Sequence, residues 1–232
     1  MDTDSQNAGT DAPVAVLLDV DGTLVDSNYL HVEAWTRALQ DVGRDVAAWR
    51  VHRAIGMGSS ELLEAVLGDD ADAVAEQVKD AHSHYYAGAA GRLRAVDGAR
   101  DLVRTLAARG IRPVLATSAA PDELERLRDV LDVEQELHAV TGAGDVDAAK
   151  PAPDLVQVAL EAADVPAGRA VLVGDTVWDV EAAGRAGVAC VAVRSGGIGV
   201  DELREAGAVA VYDDVADLLA HLDESPLVRL GG

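Results

Sequence analysis

The 232 residues are 49% hydrophobic and carry 41 acidic against 19 basic side chains, a formal charge of -22; that is enough apolar material for one large domain, or for a core domain with a smaller inserted one. The charge disfavours nucleic acid or an anionic membrane held through a broad basic surface, because the summed field repels both, and a phosphate ligand then needs a local cationic site. No apolar run reaches the roughly 20 residues that span a bilayer, and the one cysteine, Cys190, permits no internal disulfide, which fits a reducing, cytoplasmic setting.

The polar, acidic start "MDTDSQNAGTDAP" is unlike the basic opening of a signal peptide and is predicted as a disordered tail over residues 1–12. "PVAVLL" (13–18) is the first predicted strand. The stretch 28–93 then offers helical patterns, "NYLHVEAWTRALQDVG", "AAWRVHRAIG", "SSELLEAVLG" and "DAVAEQVKDAHSHYYAGAAG", without a convincing strand, and is predicted as a helical insert. From about residue 97, strand and helix alternate. The strands are "RPVLA" (112–116), "AVLV" (170–173), "VACVAV" (188–193) and a weaker "AVAVY" (208–212). Each strand is a continuous apolar run, as expected where both faces are covered. The expected fold is therefore α/β: a doubly wound, mostly parallel, Rossmann-like sheet formed by residues 13–27 and 94–232, interrupted by the insert 28–93. Its active face would lie at the carboxyl ends of the strands.

Polar residues gather at four places, three of them at those strand ends. Asp19 and Asp21 of "DVDGT" follow the first strand, where an Asx turn would also account for them. Thr117 and Ser118 of "ATSAA" can hold phosphate oxygens with the helix after Pro121, or simply cap that helix. Lys150 sits in "DAAKPAPD", beside two prolines that pin the backbone. Asp175 and Asp179 of "GDTVWD" fall near a helix N-terminus, which favours acids in any case. Carboxylates of Asp19, Asp21 and Asp175 converging at neighbouring strand ends require neutralisation, and a hard divalent cation such as Mg²⁺ supplies it alongside Lys150.

In this order and spacing the residues resemble the haloacid dehalogenase superfamily: "DVDGT" its first motif, Thr117 the second, Lys150 the third and "GDTVWD" the fourth. The insert 28–93 is similar to the cap of the phosphoglycolate phosphatase and β-phosphoglucomutase branch. The resemblance implies that Asp19 attacks phosphorus to form an aspartyl-phosphate and that Asp21 serves as acid and then base. It implies that Mg²⁺ is held by Asp19, the Asp21 carbonyl and Asp175, supported by Asp179. Thr117 and Lys150 would hold phosphoryl oxygens, and Thr23 would position Asp21. Asp21 itself separates the phosphatase pattern from true dehalogenases and phosphonatases, which lack it.

Substrate choice falls to the cap. "HRAIGMGSSELL" (52–63) resembles the cap loop that meets the active site, with Gly56 and Gly58 permitting close approach and Arg53 either binding an anionic group or standing in solvent. His82 and His84 lie two apart on a helix and so face different sides, which argues for packing or exposure rather than a metal pair. The expected function is a Mg²⁺-dependent phosphatase for a small phosphorylated metabolite. A sugar-phosphate mutase and a non-catalytic phosphate-binding or regulatory protein are the alternatives, and oligomeric state is left open.

Overall fold

The computed structural model describes residues 12, 14–146 and 148–229, so all of the predicted tail but Ala12 lies outside the described residues. The chain runs β1 (Ala15–Leu18), β2 (Val25–Asp26), α1 (Asn28–Asp41), α2 (Ala48–Ala54), α3 (Ser59–Leu67), α4 (Ala75–Ala89) and β3 (Arg94–Ala95). It continues α5 (Ala99–Ala108), β4 (Arg112–Ala116), α6 (Pro121–Leu131), β5 (Ala139–Thr141), α7 (Asp154–Ala163), β6 (Ala170–Gly174), α8 (Val177–Arg185), β7 (Ala189–Val193), α9 (Val200–Ala206), β8 (Ala210–Tyr212) and α10 (Val215–Ala220).

Six strands form one parallel sheet in the order β5-β4-β1-β6-β7-β8. Alternate residues of each strand point to opposite faces. Val16 and Leu18 join Leu115, Val173 and Val193 under α5 and α10, through Leu102, Leu106 and Leu218. Leu17 joins Val114, Leu172 and Cys190 on the other face, against Val156 and Ala159 of α7 and Ala183 of α8. Both faces are thus covered, which is why the strands read as unbroken apolar runs. Cys190 is a buried free thiol.

The chain leaves β1 for β4 and β5 on one side, then crosses to β6, β7 and β8 on the other. The carboxyl end of β1 is therefore the point where strand order reverses, and a crevice opens there.

Helices α1 to α4 lie between β2 and β3, which pair antiparallel at the base of the insertion. Their apolar faces make a third core, from Val32, Trp35 and Leu39 of α1, Val51 of α2, Leu62, Leu63 and Val66 of α3 and Val78 of α4. Burying a leucine such as Leu63, fully inaccessible here, contributes about 2 kcal/mol. On α4 the buried residues are Val78, His82 and Tyr86, spaced four apart on a single stripe, and His84 is exposed. Among the described residues no helix is long and apolar enough to cross a membrane.

Candidate active site

Register carries the acids to the crevice. Leu18 of β1 is level with Leu115 of β4 and Val173 of β6, so the residues that leave these strands, Asp19, Thr117 and Asp175, emerge side by side. The Asp19 amide donates to the Val173 carbonyl at 2.9 Å, which ties its backbone to β6. Asp19, Thr117, Lys150, Asp175 and Asp179 are all at least 95% buried.

Lys150 Nζ donates to Asp19 Oδ1 at 2.5 Å and to Asp179 Oδ1 at 2.7 Å. Asp179 is also the third residue of α8: its Oδ2 accepts from the Thr176 amide at 3.1 Å and from the Thr176 hydroxyl at 2.6 Å, while its own amide donates back to Thr176 Oγ1. The cap and the charged site are one structure, so a helix-start role and a site role for Asp179 coexist. Asp175 accepts from Thr23 Oγ1 at 2.8 Å and from Asn28 Nδ2 at 2.8 Å. The Thr23 hydroxyl was expected beside Asp21; it goes to Asp175 instead, with Asp19 Oδ2 at 3.4 Å.

Asp21 is positioned by other residues. Its Oδ1 accepts from Ser27 Oγ at 2.6 Å and lies 3.3 Å from His31 Nε2. Burial pushes this carboxyl up, but the His31 and Ser27 contacts outweigh it and hold Asp21 below the ordinary carboxylate value. Asp19 behaves oppositely. Burial, reinforced by Asp179 and opposed by Lys150, lifts it to about 7, and burial followed by the Asp179 charge raises Asp175 well above its ordinary value.

Those two directions test the site for a metal. Carboxylate oxygens of Asp19, Asp175 and Asp179 lie within 4.8 Å of one another, and with all three ionised the single ammonium of Lys150 leaves them under-neutralised in a buried space. An all-oxygen donor set that is short of positive charge fits a hard divalent cation. Asn28 Oδ1 is also buried there without a hydrogen-bond partner.

Between the crevice and the insertion lies a cavity of ≈ 170 Å³, lined from the sheet side by Asp19, Asp21, Thr117, Ser118 and Lys150. Trp35, Met57, Leu62, Lys79 and His82 line it from the insertion side. Thr117 Oγ1 accepts from the Ala119 amide at 3.1 Å, and Ser118 Oγ is buried without a partner. The loop after α2 approaches the sheet domain closely: a Cβ on Gly56 would stand 2.8 Å from Thr176 Oγ1. Arg53 points elsewhere. Its guanidinium forks onto both oxygens of Glu202 on α9, outside the set lining the cavity, where the cations are Lys150 and Lys79.

Ser27, Asn28 and His31 were not foreseen from the sequence. A signal existed: Asn28, His31 and Trp35 fall at i, i+3 and i+7, which places two polar side chains on the buried stripe of α1. The loop after β7 was missed as well. Ser195 Oγ donates to the Gly22 carbonyl at 2.6 Å, and His52 Nε2 lies 2.9 Å from the Gly196 carbonyl.

The family model for haloacid dehalogenase-like hydrolases matches residues 14–187. A phosphoglycolate phosphatase of Rhodospirillum rubrum is 33% identical over 218 residues, covering 89% of each chain. The crystal structure of a hydrolase from Pseudomonas syringae, 35% identical, superposes with a TM-score of 0.86 over 91% of this chain and 98% of that one. CbbY from Rhodobacter sphaeroides in complex with phosphate, 27% identical, does so with a TM-score of 0.73 over 91% and 100%. With a family model matched over residues 14–187 and a relative 33% identical over 89% of both chains, the chain belongs to the haloacid dehalogenase-like hydrolases and is a phosphatase of that family.

Proposed function

We propose that this phosphatase hydrolyses a small phosphorylated metabolite in a Mg²⁺-dependent reaction that passes through an aspartyl-phosphate on Asp19. The observation that carries the reading is the pairing of two differently held carboxylates. Asp19 is held by an ammonium, as a nucleophile facing an anionic phosphoryl group requires. Asp21, two residues on, is held by a hydroxyl and an imidazole at the cavity wall, where it can exchange a proton with a leaving group.

In the first step an Asp19 carboxylate oxygen bonds to phosphorus, the bond from phosphorus to the ester oxygen breaks, and Asp21, which takes up a proton from solvent when the anionic substrate binds beside it, gives that proton to the departing oxygen. In the second, Asp21 takes a proton from a water molecule whose oxygen attacks the phosphoryl group, releasing phosphate and restoring Asp19. Lys150 and the hydroxyls of Thr117 and Ser118 would hold phosphoryl oxygens, a reading supported by all three residues lining the cavity. Asp19, Asp175, Asp179 and the Asp21 carbonyl would hold Mg²⁺, which when bound screens the charge between nucleophile and phosphoryl oxygens. The helical insertion acts as a cap that excludes bulk water from the cavity. Phosphoglycolate, which the Rhodospirillum rubrum relative's name specifies, is the first substrate to try.

The test is phosphate release from p-nitrophenyl phosphate with Mg²⁺, with EDTA, and with Asp19→Asn. Turnover is expected in the first condition alone. Equal rates in all three would overturn the mechanism.

A further inference from the structure

Beside the acid cluster, the molecule holds a second row of titratable side chains, of which the mechanism above uses only Asp21 and its His31 contact. It begins at Asp21. His31 Nε2 is 3.3 Å from Asp21 Oδ1, His31 Nδ1 is 3.1 Å from His82 Nε2, and His82 Nδ1 is 3.8 Å from Glu123 Oε1. The row crosses from the sheet domain into α1, then α4, and returns to α6. His82 stacks on Trp35 with ring centres 3.9 Å apart, and His31 stacks on Tyr86 at 3.9 Å. Side-chain exposure is 11% for His31, 7% for His82 and 9% for Glu123.

We propose that His82, steadied by Glu123, is a positioning residue for Asp21 and acts through His31. The inference rests on the reading of Asp21 as the acid that protonates the leaving group. A stacked imidazole can turn over in its slot, and flat aromatic neighbours do not distinguish its two edges. Hydrogen-bond partners do. His31 presents Nε2 to Asp21 because its other nitrogen is met by His82 Nε2, and this holds whichever of the two nitrogens carries the shared proton. The hydrogen bonds to the Asp21 carboxyl both fall on Oδ1, which leaves Oδ2 to carry the proton to the leaving oxygen. If His82 no longer held the far edge of His31, Asp21 would lose one of the two contacts that fix its rotamer.

The consequence depends on the leaving group. p-Nitrophenolate departs as a stable anion and needs no proton, whereas the alkoxide of an alkyl phosphate must be protonated as it leaves. The experiment compares kcat/KM, which reports the steps through phosphoryl transfer, for p-nitrophenyl phosphate and glycerol 2-phosphate in wild type, His82→Phe, His82→Gln and Glu123→Gln. His82→Phe keeps the stacking and removes the nitrogens. It is expected to lower kcat/KM for glycerol 2-phosphate by about 10- to 100-fold and to leave p-nitrophenyl phosphate within about twofold. His82→Gln returns a polar group near the Nε2 position and should recover part of the loss, and Glu123→Gln should show the same selective loss in weaker form.

An equal fall for both substrates, or no fall for either, overturns the proposal. Imidazole ¹⁵N spectra provide an independent readout: the His31 Nδ1 signal should shift in His82→Phe, and an unchanged signal also overturns it. Should His82→Phe fail to fold, Glu123→Gln decides by the same substrate comparison. Retained turnover in Asp19→Asn would instead defeat the phosphatase mechanism itself, so the two failures are distinguishable.

Discussion

The Lys150 ammonium stands between two carboxylates, one at the end of β1 and one in the first turn of α8, 2.5 Å from Asp19 Oδ1 and 2.7 Å from Asp179 Oδ1. All three side chains are almost completely buried, and the lysine is held more firmly protonated than usual: burial works against its charge, and Asp179 and Asp19 together overcome that cost. The contact joins β1, the segment before α7 and the first turn of α8, so it organises the crevice as well as charging it.

Removing one partner from such a cluster leaves buried carboxylates without their cation. Lys150→Met is expected to lose about 3–5 kcal/mol of stability in metal-free buffer, read by urea unfolding, and to lower kcat on p-nitrophenyl phosphate by a factor of about 10²–10³. A variant with wild-type turnover would remove Lys150 from the phosphoryl site.

The acid cluster also sets a pH dependence. Asp19 is raised to about 7 in the metal-free fold and Asp175 is raised as well, against an ordinary value of about 3.9. The folded state therefore binds more protons than the unfolded chain between those limits, so this contribution to stability falls as pH rises from about 4 to about 7. In the proposed metal site Mg²⁺ would replace those protons and should bind more tightly as pH rises. Thermal melts with saturating Mg²⁺ against EDTA should show a larger rise in Tm at pH 8 than at pH 5.5; a rise independent of pH would contradict the assignment.

Gly196 lies where the loop after β7 presses on Asp175. A Cβ there would stand 1.8 Å from Asp175 Oδ2, so Gly196→Ala must move that carboxylate or the loop. Circular dichroism is expected to stay native, while the Mg²⁺ concentration for half-maximal activity rises about 10- to 100-fold. An unchanged Mg²⁺ titration would place Asp175 outside the metal site.

Two cations of the insertion should separate by function. Lys79 lines the cavity, whereas Arg53 is engaged with Glu202 in a pair about 40% exposed on each side, a contact worth no more than about 1 kcal/mol. Lys79→Ala should raise KM for 2-phosphoglycolate about tenfold or more, as loss of one charged contact to a carboxylate does, and spare p-nitrophenyl phosphate. Arg53→Ala should leave both within about twofold. The reverse pattern would return the anion-recognition role to Arg53.

What the amino-acid sequence determined by itself was local in origin. The unbroken apolar runs at β1, β4, β6 and β7 follow from burial on both sheet faces, and the motif residues Asp19, Asp21, Thr117 and Asp175 stand where three of those runs stop, while Lys150 is marked by the prolines beside it. β5 escaped notice because "AVT" is a three-residue edge strand only partly buried, and β2 and β3 because two residues each carry no period. Tertiary structure alone decided the partners. Thr23 serves Asp175 rather than Asp21, Arg53 turns to Glu202, and His31 meets His82 across 51 positions of sequence. Spacing along a chain records which face of an element a side chain occupies. Which side chain waits opposite depends on how separate elements pack, and that is settled only when the helical insertion closes against the ends of the strands.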